Sequence, residues 1–238
     1  MSTLLKSGKH LELRQWEPSK KDGGNNPWEY AKRLVKNAGF KDGDDESALI
    51  AAVINPESER PEVILQLSNR PIFKKPNWEV IGGLNSDSDS DGNIEKTADK
   101  ETEEEAGATV IRNKKLDTIK YSGLSSSAGM TDETNTLKVR EVQNLEKAPE
   151  DTGDPITLQI VKLPLEQASN FLLEQSQKGF HVAISCFAAL YNAMKACNIQ
   201  PDFEAKGIKA TTIWDAKDSK EPTEYQKRGL EKLSEMAA

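Results

Sequence analysis

The chain has 238 residues and a net charge of −7, with acidic and basic residues interspersed; it is long enough for one sizeable core and offers no basic surface to nucleic acid or anionic lipid. It holds no run of about 18 apolar residues and no apolar signal core at its start, so no membrane partner is expected and the location implied is the cytoplasm, with the nucleus also open. Cys186 and Cys197 lack CxxC spacing and the two histidines, His10 and His181, are isolated, which argues against a zinc site, a disulfide framework and a histidine-based triad.

Residues 5–17 alternate loosely, predicting a strand or two before a turn-rich stretch. Residues 28–33 (WEYAKR) then predict a strand or short helix. Trp28, flanked by charges, either stacks on a base or covers the edge of the core. Residues 47–55 and 62–67 are apolar and β-rich on either side of NPESERP, a hairpin of central strands. A further strand over 77–81 delivers Gly82 and Gly83, which let backbone approach a phosphate or metal closely. After an acidic low-complexity loop comes a helix over Ile94–Ala106, with Asp91 or Asn93 as N-cap and Gly107 as stop. Strands are predicted over 109–112, 115–121, 135–142 and 156–163, and helices over 164–177 and 182–196. The charged stretch 215–238 predicts weak helix or no fixed structure. This order suggests an α/β fold, an α/β/α sandwich with a mixed β-sheet and a small N-terminal β extension. The expected divisions are 1–45, a β segment for dimerisation and nucleotide contact; 46–214, the main domain; and 215–238, the tail.

The helix over 94–106 carries the chemistry. Wound at 3.6 residues per turn, Ile94, Ala98, Glu101 and Glu105 share a stripe with Glu104 at its edge, while Lys96, Asp99 and Glu103 face outward. A glutamate run on a helix is commonly a solvated face. Here two carboxylates lie on the stripe that the apolar residues turn inward, where unpaired charge is costly. Glutamates at i, i+3 and i+4 suit Mg²⁺, with Mn²⁺ as an alternative.

The stretch Ala98-x-Lys100-Glu101-Thr102-x-Glu104-Glu105-Ala106-Gly107-Ala108 resembles the Nudix signature, Arg-Glu-aliphatic-x-Glu-Glu-x-Gly-aliphatic. Four further stretches, in order, resemble the ADP-ribose/ADP-sugar diphosphatase branch of that superfamily: Trp28-Glu29-Tyr30-Ala31-Lys32-Arg33, Asn69-Arg70-Pro71, Trp78-Glu79-Val80-Ile81-Gly82-Gly83-Leu84, and Ser126-Ser127-Ala128-Gly129-Met130-Thr131-Asp132-Glu133. The resemblance covers roughly residues 8–200 and implies a Nudix-type sandwich. It implies metal held by Glu101, Glu104 and Glu105 with the Gly82 carbonyl, acting on the diphosphate of ADP-ribose or a related nucleoside-diphosphate sugar. It further implies Trp28, with Trp16, on adenine; Glu29, Arg33, Arg70, Glu79 and Gly129 on the rest of the substrate; and a homodimer. Arg70 pairing only with Glu79 is the alternative to its substrate role.

The chain also departs from the pattern. Lys100 stands where the signature has Arg, Thr102 where it has an aliphatic residue, and Asn93 where an upstream glutamate is usual. The catalytic-loop glutamate falls near Ile156 and another acid at Gln159, leaving Asp154 or Glu150 as substitutes. The leading expectation is therefore a Mg²⁺-dependent diphosphatase yielding AMP and a sugar phosphate. The alternatives are a non-catalytic Nudix module that binds a nucleotide sugar or a protein, and a Nudix enzyme for another diphosphate.

Overall fold

A computed structural model describes residues 2–8, 11–16, 28–33, 47–70, 73–85, 92–118, 120–125, 130, 133–143, 156–219 and 221–237. Two compact units divide it, one formed by Met1–Ala48, Leu84–Thr97 and Tyr121–Thr136, the other by Leu49–Gly83, Ala98–Lys120 and Leu137–Ala238.

The first unit contains an antiparallel meander, β1 (Ser2–Ser7), β2 (Leu11–Trp16) and β3 (Trp28–Arg33). Residues 28–33 are thus strand, not helix. The register sets Trp16 across from Trp28 and Leu11 across from Arg33. The amide of Ala31 donates to the carbonyl of Met130 (2.8 Å), tying β3 to that residue. Leu4, Leu5, Leu11 and Leu13 are all exposed.

The large mixed sheet contains β4 (Ser47–Ile54), β5 (Glu62–Ser68), β6 (Asn77–Glu79), β7 (Ile81–Leu84), β8 (Thr109–Ile111), β9 (Lys120–Ser125), β10 (Thr134–Gln143), β11 (Thr157–Pro164), β12 (His181–Val182) and β13 (Thr211–Asp215). β4 and β5 form the expected antiparallel hairpin, with Val53 opposite Val63. β5 is the centre of its unit: β11 runs antiparallel along one edge, while β4 and β6 share the other. Having neighbours on both edges and layers on both faces, it reads EVILQLS, a nearly continuous apolar run.

Side chains alternate across the sheet, so the two faces can be told apart. Val63, Leu65, Leu67 and Trp78 join the core built with α3 (Ala168–Gln177) and α4 (Ser185–Cys197), which contribute Phe171, Leu172, Ala189, Leu190 and Ala193. Trp78 meets Phe171 edge-on at 5.1 Å and is the core residue expected. Gln66 and Glu79, directly opposed in register, lie on the other face, where α1 (Ile94–Ala106) packs. These three layers are the predicted α/β/α sandwich.

One element differs from expectation, and at the C-terminus the helical of two readings holds. Residues 114–117 form a helical turn, α2 (Lys114–Asp117), where a strand was predicted. Asn113 caps it, Oδ1 accepting from the amides of Lys115 and Leu116, and Leu116 is buried. The C-terminal stretch is ordered by pairing and capping: β13 joins β11, and α5 (Glu224–Ala237) follows. Thr223 and Gln226 form a reciprocal capping box, Gln226 N donating to Thr223 Oγ1 (3.1 Å) and Thr223 N to Gln226 Oε1 (2.8 Å). Gly229 lets α5 approach closely, since a Cβ there would lie 2.6 Å from Leu158 Cδ2 and 2.9 Å from Asn69 Cβ. No helix among the described residues is long and apolar enough to cross a membrane.

Candidate functional site

α1 begins where Asn93 Oδ1 accepts the amide of Glu95 (3.0 Å) and stops at Gly107, whose φ is +60°. Its buried residues are Thr97, Ala98, Thr102 and Ala106. Small side chains suit a helix lying close on a sheet, and Thr102 hides its hydroxyl by donating to the Ala98 carbonyl (2.7 Å). The inward stripe therefore differs from the predicted one: Glu101 and Glu105 lie on one flank, half-buried, and Asp99 on the other. Asp99 was expected to face outward. Instead its carboxylate accepts from Nε of Arg140 (2.7 Å), a side chain with no exposure, and also from the exposed Arg112. Carboxylates on both flanks fix the roll of the helix.

On the glutamate flank, Glu105 Oε2 accepts two N–H bonds, from the amide of Gly82 (3.0 Å) and from Gln66 Nε2 (3.1 Å). Beside it, Gly83 leaves the space into which Glu101 folds. A Cβ at Gly83 would overlap the Glu101 carboxylate. Two carboxylates thus lie against the backbone of the glycine pair on β7. Glu104 is set differently: its side chain is 43% exposed and lies 3.9 Å from the ammonium of Lys100, the residue at the position of the signature's Arg. Among the described residues, no group of three His, Cys, Asp or Glu side chains is placed to hold a metal ion. Glu101 and Glu105 fit the smaller donor set typical of Mg²⁺, which takes one or two carboxylates and completes its shell with water and phosphate oxygens.

Further along this face, Arg70 and Glu79 are bound to each other. Arg70 Nη2 lies 3.0 Å from Glu79 Oε1, and its Nε reaches both carboxylate oxygens at 3.1 and 3.3 Å. Glu79 also accepts from Ser68 Oγ and from Asn77 Nδ2 (3.1 Å), so its carboxylate is satisfied within the sheet. Asn69, next to Arg70, is pinned by α5: Nδ2 donates to the Tyr225 carbonyl (2.6 Å) and Oδ1 accepts from Lys232 Nζ (2.8 Å).

Among the other expected residues, Trp28, Glu29 and Arg33 lie on β3 of the first unit, Glu29 exposed. Gly129, Glu150 and Asp154 lie outside the described residues. Ile156 contributes its carbonyl, which accepts the Asn69 amide (2.8 Å), and Gln159 donates to Asp215 Oδ2 (2.6 Å). The sequence reading overlooked Gln66 and Arg140. Gln66 is 1% exposed and carried a signal, a lone amide inside an otherwise apolar strand. Arg140 carried none, since a charge in TLKVREVQ reads as the outward side of an alternating strand.

No family model matches the chain, and no curated protein matches it in sequence. Among solved structures it is similar to one described as an ADP compounds hydrolase, at TM-score 0.52 and 15% identity, over 82% of this chain and 90% of that one. At that identity the likeness is one of fold, and it agrees with the α/β/α sandwich expected.

Proposed function

We propose that this protein is a hydrolase of nucleotide diphosphate compounds: in the presence of Mg²⁺ or Mn²⁺ it cleaves ADP-ribose or a related nucleoside-diphosphate sugar to AMP and a sugar phosphate. The observation that carries this reading is the seating of Glu101 and Glu105 against Gly82 and Gly83. Helix and glycine pair come from separate elements, and one missing Cβ makes room for one of the carboxylates. A shared fold with an ADP compounds hydrolase supports the substrate class, as do the ordered motifs around the helix. A bound divalent cation would neutralise the diphosphate and make a water more acidic. Glu101 and Glu105 would hold that cation. The water oxygen bonds to one phosphorus as the bridging P–O bond breaks. Trp28, Glu29, Arg33, Gly129 and, after exchange of its partner Glu79, Arg70 would hold the nucleotide, and Asp154 or Glu150 would take the proton. A homodimer is proposed as the working unit, and the exposed leucines of β1 and β2 support it as surface for a second copy of the chain.

A second reading has its own support. With Arg70 and Glu79 satisfying one another and Glu104 turned to Lys100, the fold could bind a nucleotide sugar without turning it over. Calorimetry with ADP-ribose beside product analysis across ADP-sugars, dinucleoside polyphosphates and nucleoside triphosphates separates the two. Release of AMP supports the first reading; heat of binding without product supports the second.

A further inference from the structure

We propose that Gln66 is the positioning residue for the Glu105 carboxylate, a role that rests on reading Glu101 and Glu105 as metal ligands. Gln66 sits in the middle of β5 among Ile64, Leu65 and Leu67, all buried. An amide in such a place is costly unless both of its ends are bonded, and an aliphatic side chain would serve packing better. Both ends are bonded. Nε2 donates to Glu105 Oε2 at 3.1 Å, and Oε1 accepts from Thr157 Oγ1 at 3.5 Å.

The direction of the amide follows from these partners. A carboxylate only accepts, so Nε2 must face Glu105, and the Thr157 hydroxyl supplies the donor that the other end needs. Thr157 has no exposure and is held in turn, its carbonyl accepting Gln226 Nε2 of α5 at 3.0 Å. The Gly82 amide donates to the same oxygen. Two N–H donors on two different strands therefore fix one oxygen of a flexible side chain. An unheld glutamate would have to give up rotamer freedom each time it bound a cation. Gln66 places that ordering in the folded state, as outer partners of metal ligands do.

The test is Mn²⁺ binding to the full chain, read from the loss of the free-ion signal in electron paramagnetic resonance, with thermal melting as the check on folding. Gln66→Met keeps the side-chain length and removes the N–H; it is expected to weaken Mn²⁺ binding by about 10- to 100-fold. Thr157→Val keeps Gln66 but lets its amide turn, and is expected to weaken binding in the same direction by less. If both folded variants bind Mn²⁺ as the unaltered chain does, the inference is overturned while the metal reading stands. If the unaltered chain binds no Mn²⁺, the metal reading fails and takes the inference with it. Should Gln66→Met not fold, Thr157→Val decides, unchanged affinity overturning the role.

Discussion

Glu101 occupies the space that a side chain on Gly83 would fill, so the carboxylate and the glycine backbone lie in direct contact. The obstructing atoms belong to the end of a flexible side chain, not to backbone. Gly83→Ala is therefore expected to fold with stability within about 1 kcal/mol of the parent, because Glu101 can swing aside. A shift of about 1 Å at a reacting group costs about 10²-fold in rate. Turnover of ADP-ribose should fall by that order while the urea midpoint barely moves. A large loss of stability with the rate per folded molecule unchanged would contradict this relationship.

Asp99 and Arg140 give a contrasting prediction. Arg140 has no exposed side-chain surface, and Asp99 is its 2.7 Å partner. Asp117 lies farther off, 3.7 Å from Arg140 Nη1, so removing Asp99 leaves the buried guanidinium with its weaker carboxylate contact and costs up to about 3–5 kcal/mol, the range for breaking a buried pair. Asp99→Ala should lower the urea midpoint accordingly. Arg112, which also reaches Asp99 but is 66% exposed, should cost under about 1 kcal/mol when replaced by alanine. Equal effects at the two positions would show that Asp99 is not a buried anchor.

Gly229 reverses the usual helix rule. Replacing a helical glycine with alanine ordinarily stabilises by about 1 kcal/mol. Here the new methyl group would meet Leu158 and Asn69 inside contact distance. Gly229→Ala should lower the melting temperature and speed hydrogen exchange in α5. A higher melting temperature would mean that the helix does not dock as described.

The two thiols should be inert in the folded chain. Burial is the main cause that pushes the Cys186 thiol up to about 12, with the Sγ hydrogen directed at the Trp78 carbonyl (3.7 Å); burial likewise pushes Cys197 up to about 11. Only the thiolate alkylates readily, so iodoacetamide at pH 8 should leave Cys186 unmodified until urea is added. The same shift has a sign in stability. Between the ordinary thiol value of 9.0 and about 12, the unfolded chain loses the Cys186 proton and the folded chain keeps it. The stabilisation is thus complete below 9 and is lost as pH rises toward 12. Rapid labelling of Cys186 at pH 8 without denaturant would contradict the burial.

Much of the scaffold was legible because local rules and tertiary packing agree. The β4–β5 hairpin was visible as apolar runs around a turn, and the limits of α1 in Asn93 and Gly107. The roll of α1 was not legible. The helix has hardly any large apolar residues, so its packing falls to Thr97, Ala98, Thr102 and Ala106, and its anchor Arg140 lies 41 residues beyond Asp99. No periodicity within the helix records that partner. The stretch at 215–238 read as weak helix or no fixed structure because its composition is charged; the helix is there, and the Thr223 and Gln226 cap is a local signal that composition hides. At the site, the glycine pair and glutamates were readable as a motif. The pairing of Arg70 with Glu79 was open as an alternative, and geometry shows the contact.

The central claim is that Glu105 acts in metal-dependent hydrolysis. The direct measurement is AMP released from ADP-ribose with Mg²⁺, by the unaltered chain and by Glu105→Gln, which keeps shape and removes charge. The account predicts release that stops with chelator and falls by about 10² or more in the variant. Release that persists undiminished in Glu105→Gln, or no product from the unaltered chain under any divalent ion, would contradict it.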